Sequence, residues 1–164
     1  MEFDSLKTEE VIFLLLKNRG LTLGTVESAT GGLIAHRLTN VAGISELFKG
    51  SIVAYANEIK EHLAGVSAAS IESRGAVSPE VAEEMATGGT RALGVDICIS
   101  DTGIAGPGGA TPDKPVGLFY IGLAHGSKVM HRELNLDGAR EENKAAAAES
   151  VLCWLKEYLE GLES

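Results

Sequence analysis

Short strand-like segments alternate with helical patterns along this chain, and the alternation restricts the fold more than any other feature. Strands are predicted at 22–27, 48–55, 95–100, 116–125 and 128–136, and the last two form a hairpin. Helices are predicted at 4–18, 31–39, 57–63 and 67–73, from Ser78 to about Leu93, and after Gly138 to about Glu160. Because helices separate most strands, we expect an α/β fold whose mostly parallel, mixed sheet of about five strands is covered on both faces.

Length and composition are those of a single soluble globular domain spanning residues 1–164. Hydrophobic residues make up 45% of the chain and charged residues 23%. The formal net charge of −9 argues against a nucleic-acid partner, which needs a basic face. It is compatible with an anionic small molecule, because helix N-termini can hold phosphate.

Several features indicate a cytoplasmic protein with no membrane contact. The first ten residues are acidic where a signal peptide is basic, and the apolar run 11–16 is too short to span a bilayer. Cys98 and Cys153 lie in apolar surroundings without metal-ligand spacing, which favours a reducing compartment.

The most informative stretch is 25–32 (TVESATGG), where an apolar segment runs into a polar turn and a helix follows. Backbone N–H groups and the positive end of a helix dipole converge at such a junction. Ser28 is therefore either a helix N-cap or a nucleophile, with N–H groups near Gly31 binding the oxyanion. Glu27 either orients a partner or only solvates the turn.

A serine nucleophile needs a base, and none of the four histidines is clearly close to the turn. Lys60 follows the strand end at Tyr55 and can project toward the same edge of the sheet, where burial would lower its pKa. The alternative is a solvated Lys60 paired with Glu58 or Glu61. Tyr55 is either a core-edge residue or a proton-sharing hydroxyl.

A third strand end leads into 100–109 (SDTGIAGPGG), whose glycines allow backbone N–H groups to face a ligand. This loop is neither a dinucleotide fingerprint nor a P-loop, and a plain mobile loop is the alternative. Arg140 is a candidate for phosphate or carboxylate recognition, or a surface residue paired with Glu141 or Glu142. Ligands on such sheets sit beyond the carboxyl ends of strands, so three polar strand ends predict one site there.

Taken together, five segments resemble the CinA C-terminal domain family, whose characterised members are nicotinamide mononucleotide amidohydrolases. They are ESATGG (27–32), GGLIAHRLTNVAG (31–43), AYANEIK (54–60), GAVSPEVAEEMA (75–86) and TGIAGPGGATPDKPVG (102–117). The resemblance runs from about Leu21 to Arg140. We expect the stand-alone form, without the amino-terminal molybdopterin-binding-like domain of longer CinA proteins.

The resemblance implies a three-layer α/β/α fold and hydrolysis of the nicotinamide carboxamide to a carboxylate with loss of ammonia, without a cofactor or metal. Ser28 would be the nucleophile and Lys60 its base, assisted by Tyr55. The residues implied to contact the mononucleotide substrate are Glu27, Thr30, Gly31, Gly32, Thr102, Gly103, Ala105, Gly106 and Arg140. A homodimer is also implied.

Two positions depart from the family pattern. Ala29 replaces a cysteine that is often found there, and the segment 138–140 lacks the usual acid. The later basic residue is Lys144, so the sequence leaves open whether Arg140 or Lys144 contacts the substrate. Two other functions also stay open: a nucleotide-binding or regulatory module without turnover, and an amidase acting on a related pyridine nucleotide amide.

Overall fold

The computed structural model describes residues 3–163, and its elements follow the predicted order. The helices are α1 (Thr8–Arg19), α2 (Leu33–Thr39), α3 (Asn57–Ala64), α4 (Ala68–Arg74), α5 (Pro79–Leu93) and α6 (Arg140–Gly161). The strands are β1 (Leu23–Glu27), β2 (Phe48–Val53), β3 (Ile97–Gly103), β4 (Leu118–His125) and β5 (Lys128–Asn135). Within residues 3–163, no helix combines the length and apolar character needed to cross a bilayer.

The five strands form one mixed sheet in the order β2-β1-β3-β4-β5. β1 pairs in parallel with both β2 and β3, whereas β4 is antiparallel to its neighbours β3 and β5. Only β4 therefore runs against the other strands of this sheet. The predicted α/β fold with a mostly parallel, mixed sheet is confirmed. The carboxyl ends of β1, β2 and β3 consequently meet at one edge.

Helices pack on both faces of the sheet. On one face, α1, α2 and α6 bury a large apolar cluster that includes Leu16, Ile34 and Leu155. On the other face, α3 and α5 enclose a smaller cluster around Val26 and Met85. Side chains alternate along each strand, so neighbouring residues at a strand end point toward different helix layers.

Helix α5 shows how the sequence sets up close packing. Ser78 caps it by accepting the N–H of Val81 (3.3 Å), and Pro79 occupies the first turn. Gly88 lies inside α5, where glycine costs about 1 kcal/mol relative to alanine. A Cβ at Gly88 would collide with the backbone carbonyl of Ala64, so α5 can approach the end of α3 only with glycine there.

Two predicted boundaries are wrong in informative ways. Helix α1 begins at Thr8, four residues later than predicted, and Leu6 is exposed while Ile12 and Leu16 are buried. Strand β3 continues through Gly103 instead of ending at Ser100, because residues 101–103 pair with β4. The extension matters because it makes Asp101 a strand residue inside the protein.

Candidate functional site

A cavity of about 310 Å³ lies at the edge of the sheet where β1, β2 and β3 end. The polar side chains that line it are those of Ser28, Tyr55, Asn57, Lys60, Thr102 and Arg140. Ala29, Gly103 at the end of β3, and loop residues including Ala105 and Gly106 complete its wall. The structure thus brings together all three polar strand ends, and it adds Asn57, which sequence reasoning did not single out.

Ser28 immediately follows β1, is 7% exposed and opens onto this cavity. Its backbone N–H donates to Asp101 Oδ1 (3.1 Å), while its hydroxyl has no hydrogen-bond partner among residues 3–163. The N-cap reading of Ser28 is wrong, because α2 begins five residues later, after Gly32, and receives no cap from a serine. The hydroxyl is therefore free to meet a bound ligand.

Glu27 supplies the missing cap from below the turn. Its fully buried carboxylate accepts the backbone N–H groups of Gly32 (3.2 Å), Ile34 (2.8 Å) and Ala35 (2.9 Å). Strand alternation explains this position, since Glu27 points to the α2 face and Ser28 to the opposite one. Glu27 does not line the cavity, so its position argues against the predicted substrate contact.

The residues from Thr30 to Gly32 also face away from the cavity. Thr30, Gly31 and Gly32 line a separate cavity of about 400 Å³, together with Lys144. The N–H of Gly31 donates to the carbonyl of Ser28 (3.1 Å), and that of Gly32 is held by Glu27. The expected oxyanion donors near Gly31 are therefore already bonded, and the prediction of an oxyanion site there needs correction.

Two other backbone N–H groups remain available at the cavity. Those of Ala29 and Ala105 have no hydrogen-bond acceptor within residues 3–163, and both residues line the cavity wall. Ala29 directly follows Ser28, and Ala105 belongs to the glycine loop after β3. A developing oxyanion requires donors that converge on one point, and Ala29 and Ala105 belong to one buried apolar cluster beside the cavity.

Lys60 lies in the second turn of α3 and is 2% exposed. Its ammonium group donates to the carbonyl of Tyr55 (3.0 Å) and forms no ion pair among residues 3–163. Burial lowers the pKa of Lys60, and the charge of Asp101 opposes this shift in part. The solvated reading, with Lys60 paired to Glu58 or Glu61, is therefore wrong.

Tyr55 and Arg140 meet at the mouth of the cavity. Arg140 donates through Nη1 to the carbonyl of Gly106 (2.8 Å) and through Nη2 to the Tyr55 hydroxyl (3.3 Å). Tyr55 is 64% exposed, so it is not a core-edge residue. Arg140 lines the cavity that holds Ser28, whereas Lys144 lines the other one, which favours Arg140 for contact with a ligand at Ser28.

Thr102 and Asn143 hold the loops that surround the cavity. The Thr102 hydroxyl donates to the carbonyl of Ala76 (2.8 Å) and so fixes the segment before α5. Asn143 is 1% exposed and donates to the carbonyls of Ala105 (3.0 Å) and Gly138 (2.9 Å). Sequence reasoning missed Asn143, because an asparagine inside a helical pattern carries no mark of such a role.

Asp101 is the main residue that sequence reasoning missed. It is fully buried, and its two carboxylate oxygens accept the N–H groups of Ser28 and Thr30, each at 3.1 Å. Burial raises the pKa of Asp101 to about 6; these hydrogen bonds oppose the rise, and the nearby Glu27 adds to it. The sequence signal that could have identified Asp101 is an acidic residue directly after the apolar run of β3, because the buried strand continues through that position.

Comparisons with known proteins agree on one family. The sequence profile of the CinA C-terminal domain matches residues 5–159. A competence-damage-inducible protein from Clostridium kluyveri is 46% identical over 95% of this chain, and a CinA-like protein from Dictyoglomus thermophilum is 48% identical over 92%. The chain spans only 38% and 37% of the lengths of those two relatives.

Solved structures give the same result. The crystal structure of a competence/damage-inducible protein from Agrobacterium tumefaciens superposes with a TM-score of 0.87 at 35% identity, covering 93% of this chain and 95% of that one. A CinA-superfamily protein from Klebsiella pneumoniae gives a TM-score of 0.90 at 28% identity, covering 95% and 99%.

Proposed function

The chain belongs to the CinA C-terminal domain family, and from this premise we propose that it hydrolyses the carboxamide of nicotinamide mononucleotide. The products would be nicotinic acid mononucleotide and ammonia. The observation that carries the proposal is the pairing of two groups in one cavity. An unbonded serine hydroxyl, that of Ser28, shares the cavity with the buried amine of Lys60, whose pKa is lowered by burial.

The lowered pKa gives Lys60 the role of the base. In its neutral form, Lys60 Nζ takes the proton of Ser28 Oγ while Oγ attacks the carboxamide carbon. The tetrahedral intermediate then collapses, the C–N bond breaks, and Lys60 returns the proton to the leaving nitrogen, which departs as ammonia. Water next attacks the acyl-serine ester while Lys60 accepts a proton from it. The ester C–O bond then breaks, Lys60 returns that proton to Ser28 Oγ, and the released carboxylic acid ionises to the carboxylate in solvent.

The walls of the cavity supply the remaining interactions. The free N–H groups of Ala29 and Ala105 are the candidate donors to the oxyanion, each worth roughly 3 kcal/mol in comparable sites. The guanidinium of Arg140 at the mouth suits the phosphate of a mononucleotide, and the Tyr55 hydroxyl beside it helps to orient that group. These contacts need no cofactor.

Ammonia release from nicotinamide mononucleotide tests the proposal. Ser28→Ala and Lys60→Ala are each expected to lower kcat by at least about 100-fold, because nucleophile and base act in the same step. Ser127→Ala at the hairpin turn and Lys49→Ala on β2 are matched controls far from the cavity and should retain activity. Full activity in the Ser28 variant would eliminate a serine nucleophile.

A second candidate is a nucleotide-binding module without turnover. It is favoured by one observation, namely that Lys60 Nζ donates to the Tyr55 carbonyl and not to the Ser28 hydroxyl. Calorimetric binding of the mononucleotide with no ammonia released over hours would support this function. A panel of related pyridine nucleotide amides separates the proposed activity from an amidase with another substrate.

A further inference from the structure

We propose that Asp101 is a positioning residue for Ser28, holding the turn that carries the hydroxyl and presenting a negative charge toward Lys60. This proposal deepens the amidohydrolase function proposed above and rests on it. Asp101 does not line the cavity, so it would not touch the substrate. Its effect would pass through the backbone of the turn and through the electrostatic potential at Lys60.

The geometry of the turn carries the first half of the argument. Asp101 accepts the N–H of Ser28 through Oδ1 and the N–H of Thr30 through Oδ2, so it holds the backbone on both sides of Ala29. With these two N–H groups directed at a buried carboxylate, the N–H of Ala29 between them remains without an acceptor within residues 3–163. One carboxylate therefore fixes both the candidate nucleophile and a candidate oxyanion donor.

The two hydrogen bonds that Asp101 accepts from the turn, which we call the clamp, are themselves supported by neighbouring elements. Asp101 is paired with Ile121 inside the β3–β4 ladder, which sets its backbone. The Thr30 hydroxyl contacts both Asp101 Oδ1 and Glu27 Oε1, the latter at 2.8 Å. Since Glu27 in turn binds three N–H groups at the start of α2, the turn is tied to both β3 and α2. Such connected buried networks specify one geometry.

Electrostatics carry the second half of the argument. Three charged groups bear on this part of the site: Asp101 on β3 acts on the pKa of Lys60, Glu27 at the end of β1 acts on that of Asp101, and Arg140 at the start of α6 lines the same cavity as Lys60. Among these, Asp101 raises the pKa of Lys60 while burial lowers it. Neutralising Asp101 should therefore lower the pKa of Lys60, so that the neutral amine is present at lower pH.

Asp101→Asn is the variant that tests this proposal, because it keeps the volume of the side chain and removes its charge. An amide offers one oxygen, so it can accept only one of the two N–H groups and must turn its NH₂ toward the other. We expect kcat to fall by about 100-fold with KM changed less than about threefold, as for a misplaced reactive group. The ascending limb of the pH–rate profile should move to lower pH.

A titration of the Lys60 side chain by ¹³C NMR measures its pKa without any turnover. In Asp101→Asn the titration should move to lower pH. The matched control is Asp96→Asn, which removes a carboxylate that also accepts a backbone N–H, that of Thr22 (2.9 Å), at the opposite edge of the sheet. This control should leave both kcat and the Lys60 titration unchanged.

Each outcome decides the proposal. An unchanged kcat overturns it, and so does a loss of kcat with an unmoved Lys60 titration, which is what structural damage alone would give. If the wild type releases no ammonia, the proposed function fails, and the Lys60 titration still decides the influence of Asp101. If Asp101→Asn does not fold, Thr30→Ala is the second variant, because it removes the hydroxyl donor to the same carboxylate. It should lower kcat about tenfold at constant KM. A folded Thr30→Ala variant with full kcat overturns the proposal.

Discussion

Two cations are held inside this protein in opposite ways. Arg37 on α2 lies between two carboxylates, Glu9 on α1 at 2.8 Å and Glu149 on α6. Burial alone would lower the pKa of Arg37, but its bonds to these carboxylates raise it. Lys60 is more deeply buried, bonds only a carbonyl, and has a lowered pKa.

The difference distinguishes a cation with a structural role from one that can take part in a reaction. Arg37, bonded to two carboxylates, joins three helices and stays charged. Removing it would leave a carboxylate unpaired, so it contributes to stability. It offers no neutral form that could accept a proton in a reaction. A buried amine without an ion pair costs stability, and its lowered pKa leaves more of it in the neutral, proton-accepting form at working pH. The sequence alone would favour the opposite assignment, since Glu58 and Glu61 flank Lys60, whereas the short helix that carries Arg37 contains no acid.

Lys60→Met should show the largest effect, because it removes the proposed base and retains the volume of the side chain. Activity is expected to fall by 100- to 10,000-fold, the usual contribution of a general base. The melting temperature should not fall. Since burial lowers the pKa of Lys60, the unfolded chain holds its proton more tightly, and the lysine therefore costs stability at neutral pH. A variant that loses both activity and stability would contradict this contrast.

The two buried acids near these cations should give opposite pH dependences of stability. Burial raises the pKa of Asp101 from 3.8 to about 6, so its contribution to the unfolding free energy falls as pH rises between those values, by roughly 3 kcal/mol. Burial would also raise the pKa of Glu9, but Arg37 lowers it overall, so the contribution of Glu9 is lost as pH falls.

Urea unfolding at several pH values between 4 and 7 measures both contributions. Asp101→Asn should flatten the fall in unfolding free energy between pH 4 and 6, whereas Glu9→Gln should leave that fall in place. Equal slopes for the wild type and Asp101→Asn in this interval would rule out the raised pKa of Asp101.

Arg37→Met is the counterpart of Lys60→Met at the structural cation. It leaves the buried carboxylate of Glu9 without its partner, which should lower the unfolding free energy by about 2 kcal/mol. At denaturant concentrations below the unfolding transition, the kcat of Arg37→Met should stay within about twofold of the wild-type value. Denaturant unfolding measures the expected loss of stability, and ammonia release from the same sample measures the retained kcat. A large loss of kcat in folded protein would contradict a purely structural role of Arg37.

The smallest effect is expected at Arg140, a third cation, which is exposed at the mouth of the cavity. Arg140→Met should raise KM about tenfold with kcat nearly constant, because the contact with substrate phosphate would be equal in the ground and transition states. Lys144→Met is the matched control, since Lys144 lines the other cavity. Equal KM changes in both variants would show that the effect is one of general charge.

Much of the fold could be predicted because it depends on local patterns. Ser78-Pro79 before α5 and Gly94 after it are signals within a few residues of the helix ends they define. The meeting of three strand ends at one edge followed from the parallel arrangement of β1, β2 and β3. The sequence therefore predicts Ser28, Lys60 and Thr102 in one site, whereas only the family resemblance adds Arg140 from the start of the last helix.

The roles of the acids could not be predicted in the same way. Glu27 and Asp101 were both visible at strand ends, but which layer each side chain enters depends on register and on where each strand stops. The predicted end of β3 was three residues short, which removed Asp101 from the interior. Glu27 entered the predicted substrate contacts through the family resemblance, and the short β3 left Asp101 without a predicted role.

By itself, the amino-acid sequence determined the alternation of elements, the sheet type, the family and the three polar strand ends. The tertiary structure alone decided which polar groups are already satisfied and which remain free. The physical reason is distance along the chain, since Ser28 and its clamp Asp101 are 73 residues apart. A hydrogen bond between such residues exists only after the sheet has paired, and the free Ser28 hydroxyl can be recognised only once its neighbours have found partners.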